Sequence, residues 1–198
     1  MMKYLNEFKI FESRESIEAI CVKYAITNYT INQDMSIDVD DVVNLSHQNL
    51  TKLPLKFGKV NSAFYCHSND LTSLEFCPTH VSGNFHCNEN SLTSLEGCPT
   101  HVGGGFHCGY NNLTSLEFCP TNVGRGFSCN DNPIYSVVSC FIERDDRETL
   151  IELFNDVDIV RGDNIIYDRL KWFYEEIGVD FTDEILKGIE KYYFLNKR

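Results

Sequence analysis

Basic residues are scarce in the middle of this chain, and none occurs between Lys59 and Arg125. The net charge is −12 over 198 residues, so a phosphate backbone would find almost nothing to neutralise it and nucleic acid is excluded as a partner. Long apolar runs are missing as well; none approaches the ~18 residues that a membrane-spanning helix needs. The first thirteen residues carry Lys3, Glu7, Lys9 and Glu12, which leaves no apolar core for a signal peptide. A cytoplasmic protein is therefore expected. No glycine-rich phosphate loop, Ser/His/Asp set or His-Glu-x-x-His stretch occurs, so the common catalytic motifs are absent and no enzyme is expected.

What the chain does have is cysteine, nine in all, and a strict period. Val60, Val81, Val102 and Val123 are 21 residues apart, as are Phe64, Phe85, Phe106 and Phe127. The same interval relates Cys66, Cys87, Cys108 and Cys129, then Asn69, Asn90, Asn111 and Asn132. It recurs in Leu71, Leu92, Leu113 and Ile134, in Leu74, Leu95, Leu116 and Val137, and in Cys77, Cys98, Cys119 and Cys140. Pro78, Pro99 and Pro120 follow the first three of these last cysteines, and Val43, Leu45, Gln48, Leu50 and Leu53 form a degenerate earlier copy. A short repeat cannot bury its own apolar residues, but stacked copies share a continuous core. Alternation along each strand turns Phe85 and Cys87 inward and His86 outward. The Asn is expected to bond the backbone of the turn as a ladder, and each Pro to favour an extended return path. The glycines at 103–105, 124 and 126 are expected to permit a tight turn into the strand.

The unit V-x-x-x-F-x-C-x-x-N-x-L-T-S-L-E-x-C-P-T-x resembles the leucine-rich repeat, over about Val39 to Cys140. Its tail is most similar to the short repeats of bacterial secreted effectors, with one extra residue per repeat and Cys where Leu is usual. The resemblance implies an α/β fold, a right-handed solenoid with a curved parallel β-sheet, and no particular activity. The ubiquitin-ligase domain of such effectors is not carried over, because the segment after Cys140 is short and cysteine-free. The order of segments is also similar to uncharacterised repeat proteins of tailed phages, which would put the protein in a host cytoplasm.

Solenoid ends expose their cores and require caps. Residues 1–38 are expected to form an N-terminal helix (Ile17, Ile20, Cys21 and Tyr24 on one face, Ser13 or Ser16 as N-cap) and a hairpin around Asn32-Gln33-Asp34. The solenoid would span 39–140. Residues 141–198 would form an acidic helical cap, with stripes Leu150, Leu153, Phe154, Val157 and Ile166, Leu170, Phe173, Ile177, then a last helix from Thr182. Arg161-Gly162-Asp163 reads as a loop and N-cap between helices.

The cysteine columns are expected to be reduced packing residues, redox or metal use being the alternative, because no Cys-x-x-Cys pair occurs. No cofactor or metal is expected. The candidate partner-binding residues are the outward strand positions Tyr65, His86, His107 and Ser128, with His67, Asn88, Tyr110, Arg125, Asn130 and Asp131 beside them; Asn44 begins the row. Rings in a row on a rigid, concave sheet give amphipathic contact at low entropy cost, although a plain solvated face has the same composition. His80 and His101 are expected in convex-side loops without a role. A non-enzymatic protein-binding module, directed at a host or defence protein if phage-encoded, is the leading expectation. A virion or assembly component is the alternative, and an enzyme with a site at a cap comes third. The oligomeric state is left open.

Overall fold

Equal spacing of the same apolar residues can be satisfied by stacking one coil on the next, because each side chain then meets its own counterpart. The computed structural model describes residues 13–133 continuously, together with 160–161, 164–166, 171–172, 175 and 193–195. Within them the chain is a parallel β-solenoid of about four turns.

Each full coil contributes one short strand to each of two sheets. The five-stranded sheet is built from β3 (Val43–Asn44), β5 (Phe64–Tyr65), β7 (Phe85–His86), β9 (Phe106–His107) and β11 (Phe127–Ser128). All pair in parallel, with Phe64 opposite Phe85, Phe85 opposite Phe106 and Phe106 opposite Phe127. The six-stranded sheet contains β1 (Tyr29–Ile31), β2 (Ile37–Val39), β4 (Phe57–Val60), β6 (His80–Val81), β8 (His101–Val102) and β10 (Asn122–Val123). A single curved sheet was the expectation, with His80 and His101 in loops. Both residues instead lie on strands of this second sheet, His80 opposite His101. The extended path that follows each buried Pro meets an identical path one coil away, and their backbone groups pair.

The core follows the repeat. Phe64, Phe85 and Phe106 are fully buried, and successive rings stack with centroids 5.6–5.8 Å apart through Phe127. Each buried ring or leucine contributes roughly 1.5–3 kcal/mol relative to exposure. Cys66, Cys87, Cys108 and Cys129 fill the next column, and Cys77, Cys98 and Cys119 a second one. The described cysteines are free thiols, buried apart from half-buried Cys98.

Asparagines tie the coils together. Asn111 Oδ1 accepts the N–H of Leu92 (3.0 Å), while its Nδ2 donates to the carbonyls of Cys87, Cys108 and Gly109 at 3.0–3.1 Å. Asn69, Asn90 and Asn132 repeat the arrangement. Glycine serves another purpose than the turn expected of it. The φ angles of Gly103 and Gly124 are not left-handed, but a Cβ on Gly103 would collide with the carbonyl of Ser82, and one on Gly124 with that of Gly103. Close coil-to-coil approach is what demands them.

At the N-terminal end, α1 (Arg14–Lys23) is capped by Ser13, whose Oγ accepts the N–H of Ser16 at 3.2 Å. It buries Ile17 and Cys21 against the core. Strands β1 and β2 pair antiparallel around the Asn32–Ser36 turn, and β2 pairs in parallel with β4. The hairpin therefore forms the first edge of the six-stranded sheet, with β1 outermost.

The expected all-helical C-terminal cap is corrected where it can be seen. Val160–Arg161 (β12) pairs antiparallel with Asn164–Ile166 (β13), which pairs in parallel with Tyr193–Leu195 (β14). Ile166 is expected on a helical stripe, but β-branched Ile165 and Ile166 lie on a strand that finds partners on both sides. Lys171, Trp172 and Glu175 are helical. The stripe from Leu150 to Val157, Leu170, Phe173 and Ile177 of the second stripe, Ile134, Val137 and Cys140 of the last repeat, the helix expected from Thr182, and residues 1–12 lie outside the described residues.

Candidate functional site

The strands of the five-stranded sheet are two residues long, so each offers one inward and one outward side chain. Phe64, Phe85 and Phe106 take the inward places, and Tyr65, His86 and His107 the outward ones. In-register stacking brings the outward rings into contact: Tyr65 and His86 centroids are 4.9 Å apart, His86 and His107 4.4 Å. His67, two residues beyond Tyr65, joins them at 6.1 Å from His86 and 6.2 Å from Tyr65. Four of the ten candidate residues thus make one continuous half-buried surface of rings.

Burial governs the charge of this surface. The His86 pKa is lowered to about 4, first by desolvation and then by His107 and His67. Its Nε2 is buried with no hydrogen-bond partner among the described residues. His67 is also held below the usual histidine range, by burial first and by His47 second, with Glu89 opposing. Near neutral pH these two rings are uncharged, and the row has apolar faces with polar edges.

The other candidates form a polar group next to the rings. Ser128 stands opposite His107, and its Oγ donates to Asn130 Oδ1 at 2.6 Å. Asn130 Nδ2 donates to Asp131 Oδ2 at 2.7 Å. The Asp131 carboxylate pushes the pKa of exposed Tyr110 up, by its charge first and a hydrogen bond second. Asn88 Nδ2 bonds Glu89 Oε1 at 3.2 Å. Arg125 is exposed and precedes β11, and its N–H bonds the Gly104 carbonyl at 3.1 Å.

Sequence reasoning missed three neighbours. His47 meets His67 edge-on at 5.2 Å, and Ser68 Oγ donates to Glu89 Oε2 at 2.7 Å. His47, Ser68 and Glu89 belong to the same 21-residue column as Tyr110 and Asp131, so extending that column backward would have found them. All five have φ between 53° and 56°, a left-handed turn that lifts each side chain beside the sheet face.

His80 and His101 lie on the six-stranded sheet, stacked at 4.4 Å with their planes 3° apart. Among the described residues, no group of three or more His, Cys, Asp or Glu side chains has the geometry to hold a metal ion. No described helix is long and apolar enough to cross a membrane. Comparison of the chain with protein-family models, curated proteins and solved structures finds no match.

Proposed function

We propose that the chain is a non-enzymatic protein-binding module of the leucine-rich-repeat kind, which engages its partner through the outward face of the five-stranded sheet. The observation that carries this reading is the continuous contact of Tyr65, His67, His86 and His107. Half-buried rings that are already stacked lose little entropy on binding, and neutral imidazoles are cheap to desolvate. The flanking Tyr110, Ser128, Asn130 and Asp131 would provide a polar rim. The asparagine ladder supports the repeat-family reading, while the second strand in each coil is a departure from it. The cysteines suit packing better than nucleophilic chemistry, because burial pushes the thiols of Cys77, Cys87 and Cys108 well above their ordinary range. By resemblance to phage repeat proteins, the partner would be a host or defence protein.

The test is affinity capture with matched variants, read by mass spectrometry. Tyr65→Ala/His86→Ala/His107→Ala should lose the captured partner while melting close to the wild type. His80→Ala/His101→Ala should retain it. Loss in the second variant and retention in the first would put the binding face on the six-stranded sheet.

A further inference from the structure

The turn that leaves each Leu-x-x-Leu segment repeats in three coils. Cys77, Cys98 and Cys119 donate their N–H groups to the carbonyls of Leu74, Leu95 and Leu116 at 2.9–3.0 Å. The residue before each cysteine is left-handed: Phe76 at φ 71°, Gly97 at 86° and Phe118 at 64°. The column is therefore aromatic, glycine, aromatic. Phe76 packs against the core, and Phe118 is 51% exposed. Gly97 approaches the previous coil closely, since a Cβ there would lie 2.8 Å from the Leu74 carbonyl oxygen.

Beside this column, lined by Phe76 and Gly97, lies an open cleft of about 590 Å³. Phe57, Phe76, Cys77, Gly97 and Cys98 give it apolar walls and a bare stretch of backbone. Phe57 is fixed from below by an edge-on contact with Phe64 at 5.0 Å. The Cys98 thiol donates to the Phe118 carbonyl at 2.9 Å and lines the cleft without serving as a nucleophile. A volume in this range accommodates an aromatic side chain and the backbone that carries it.

Carboxylates predominate at the rim. Glu75 and Glu96 line the cleft, and Glu117 continues the same column one coil on; all three are exposed. Ser73, Ser94 and Ser115 accept the N–H groups of these glutamates at 2.9–3.0 Å, which fixes the backbone from which the carboxylates project. Lys56, the cation of the lining, is paired with Asp34 at 2.6 Å and does not offset them.

We propose that this cleft is a second docking site, which takes an aromatic side chain presented on a basic peptide segment of a partner protein. The ring packs against Phe76 and over the exposed backbone at Gly97. Lysines or arginines on either side of it meet the glutamate row, and charge complementarity selects basic over acidic segments. The site is independent of the ring row on the five-stranded sheet and stands or falls by itself.

Blocked tripeptides Lys-Trp-Lys, Glu-Trp-Glu and Lys-Ala-Lys, titrated into the ¹⁵N-labelled full chain, test the proposal. Lys-Trp-Lys should shift the amides of Phe76, Gly97 and Cys98 saturably, and bind at least about fivefold more tightly than either control. Glu75→Gln/Glu96→Gln/Glu117→Gln alters exposed groups only, and should weaken Lys-Trp-Lys about fivefold without lowering the melting temperature. Phe76→Leu keeps an apolar wall and should weaken the tryptophan peptide while leaving Lys-Ala-Lys unchanged. The proposal is overturned by equal binding of the three peptides, by shifts confined to Tyr65, His86 and His107, by indifference to the glutamine substitutions, or by no saturable shift at millimolar peptide.

Discussion

Asn111 and Leu92 sit in adjacent coils, and the side-chain oxygen of the first accepts the backbone N–H of the second at 3.0 Å. The same amide group donates to carbonyls of both coils, Cys87 in one and Cys108 in the other. One side chain thus does for the turn what strand pairing does for the sheets: it gives buried backbone groups a partner.

Asn111→Ala should therefore lower stability by roughly 1–3 kcal/mol, because the Leu92 N–H is left buried without its acceptor. Asn112→Ala, at the exposed position next to it, should stay near wild type. Urea denaturation of both variants measures the difference. Equal stabilities would mean that solvent reaches the turn and replaces the ladder.

A pH dependence follows from His86. Its folded pKa of about 4 lies below the ordinary 6.5 of an unfolded chain. Above 6.5 both states hold the ring neutral and the group contributes nothing. As pH falls through that value the unfolded state takes up a proton that the folded state refuses, so stability declines until about pH 4. With allowance for solvent beside a half-buried ring, the protein should be about 1 kcal/mol less stable at about pH 5 than at pH 7. His86→Phe keeps the ring contacts and should flatten the profile between those values. An unchanged profile in the variant would trace the dependence to other groups.

The thiols should be slow to react in the folded protein. Cys98 is half-buried with its pKa pushed up to about 12, and it should be modified first among the described cysteines at mildly alkaline pH. Cys66, Cys87 and Cys108 should react only on unfolding, as each is fully buried. After denaturation without reductant, all nine cysteines of the chain should titrate as thiols, and no zinc should accompany the protein. Mass measurement after alkylation counts the thiols and elemental analysis of the native protein the zinc; bridges between successive repeats would contradict the expectation.

Much of the coil architecture was legible in the residues themselves. The 21-residue recurrence of Phe, Cys and Asn implied stacked coils with Phe85 and Cys87 inward and His86 outward. It also implied an asparagine ladder and contact between His86 and His107. A fixed period leaves the chain one way to bring like side chains together, so register needs no further information. The hairpin around Asn32 was equally local, set by turn residues between two apolar pairs, and the helix start was narrowed to Ser13 or Ser16, of which Ser13 is the cap.

Other features depended on what lies across from a residue in space. His80–Val81 is too short to show an alternating pattern, and becomes a strand only because His101–Val102 presents complementary backbone groups one coil away. Asn164–Ile166 fits a helical stripe as well as a strand, and pairing with Val160–Arg161 and Tyr193–Leu195 decided it. The desolvation that chiefly lowers the His86 pKa depended on burial against Tyr65, His67 and His107, which no spacing encodes. The cleft at Gly97 was equally hidden. A glycine in one repeat reads as ordinary variation until its left-handed turn packs on the Leu74 carbonyl and lines a cleft with Phe76. Period and local chemistry determined which residues share a column, whereas three-dimensional contact decided which columns pair, which groups lose water, and where a cleft opens.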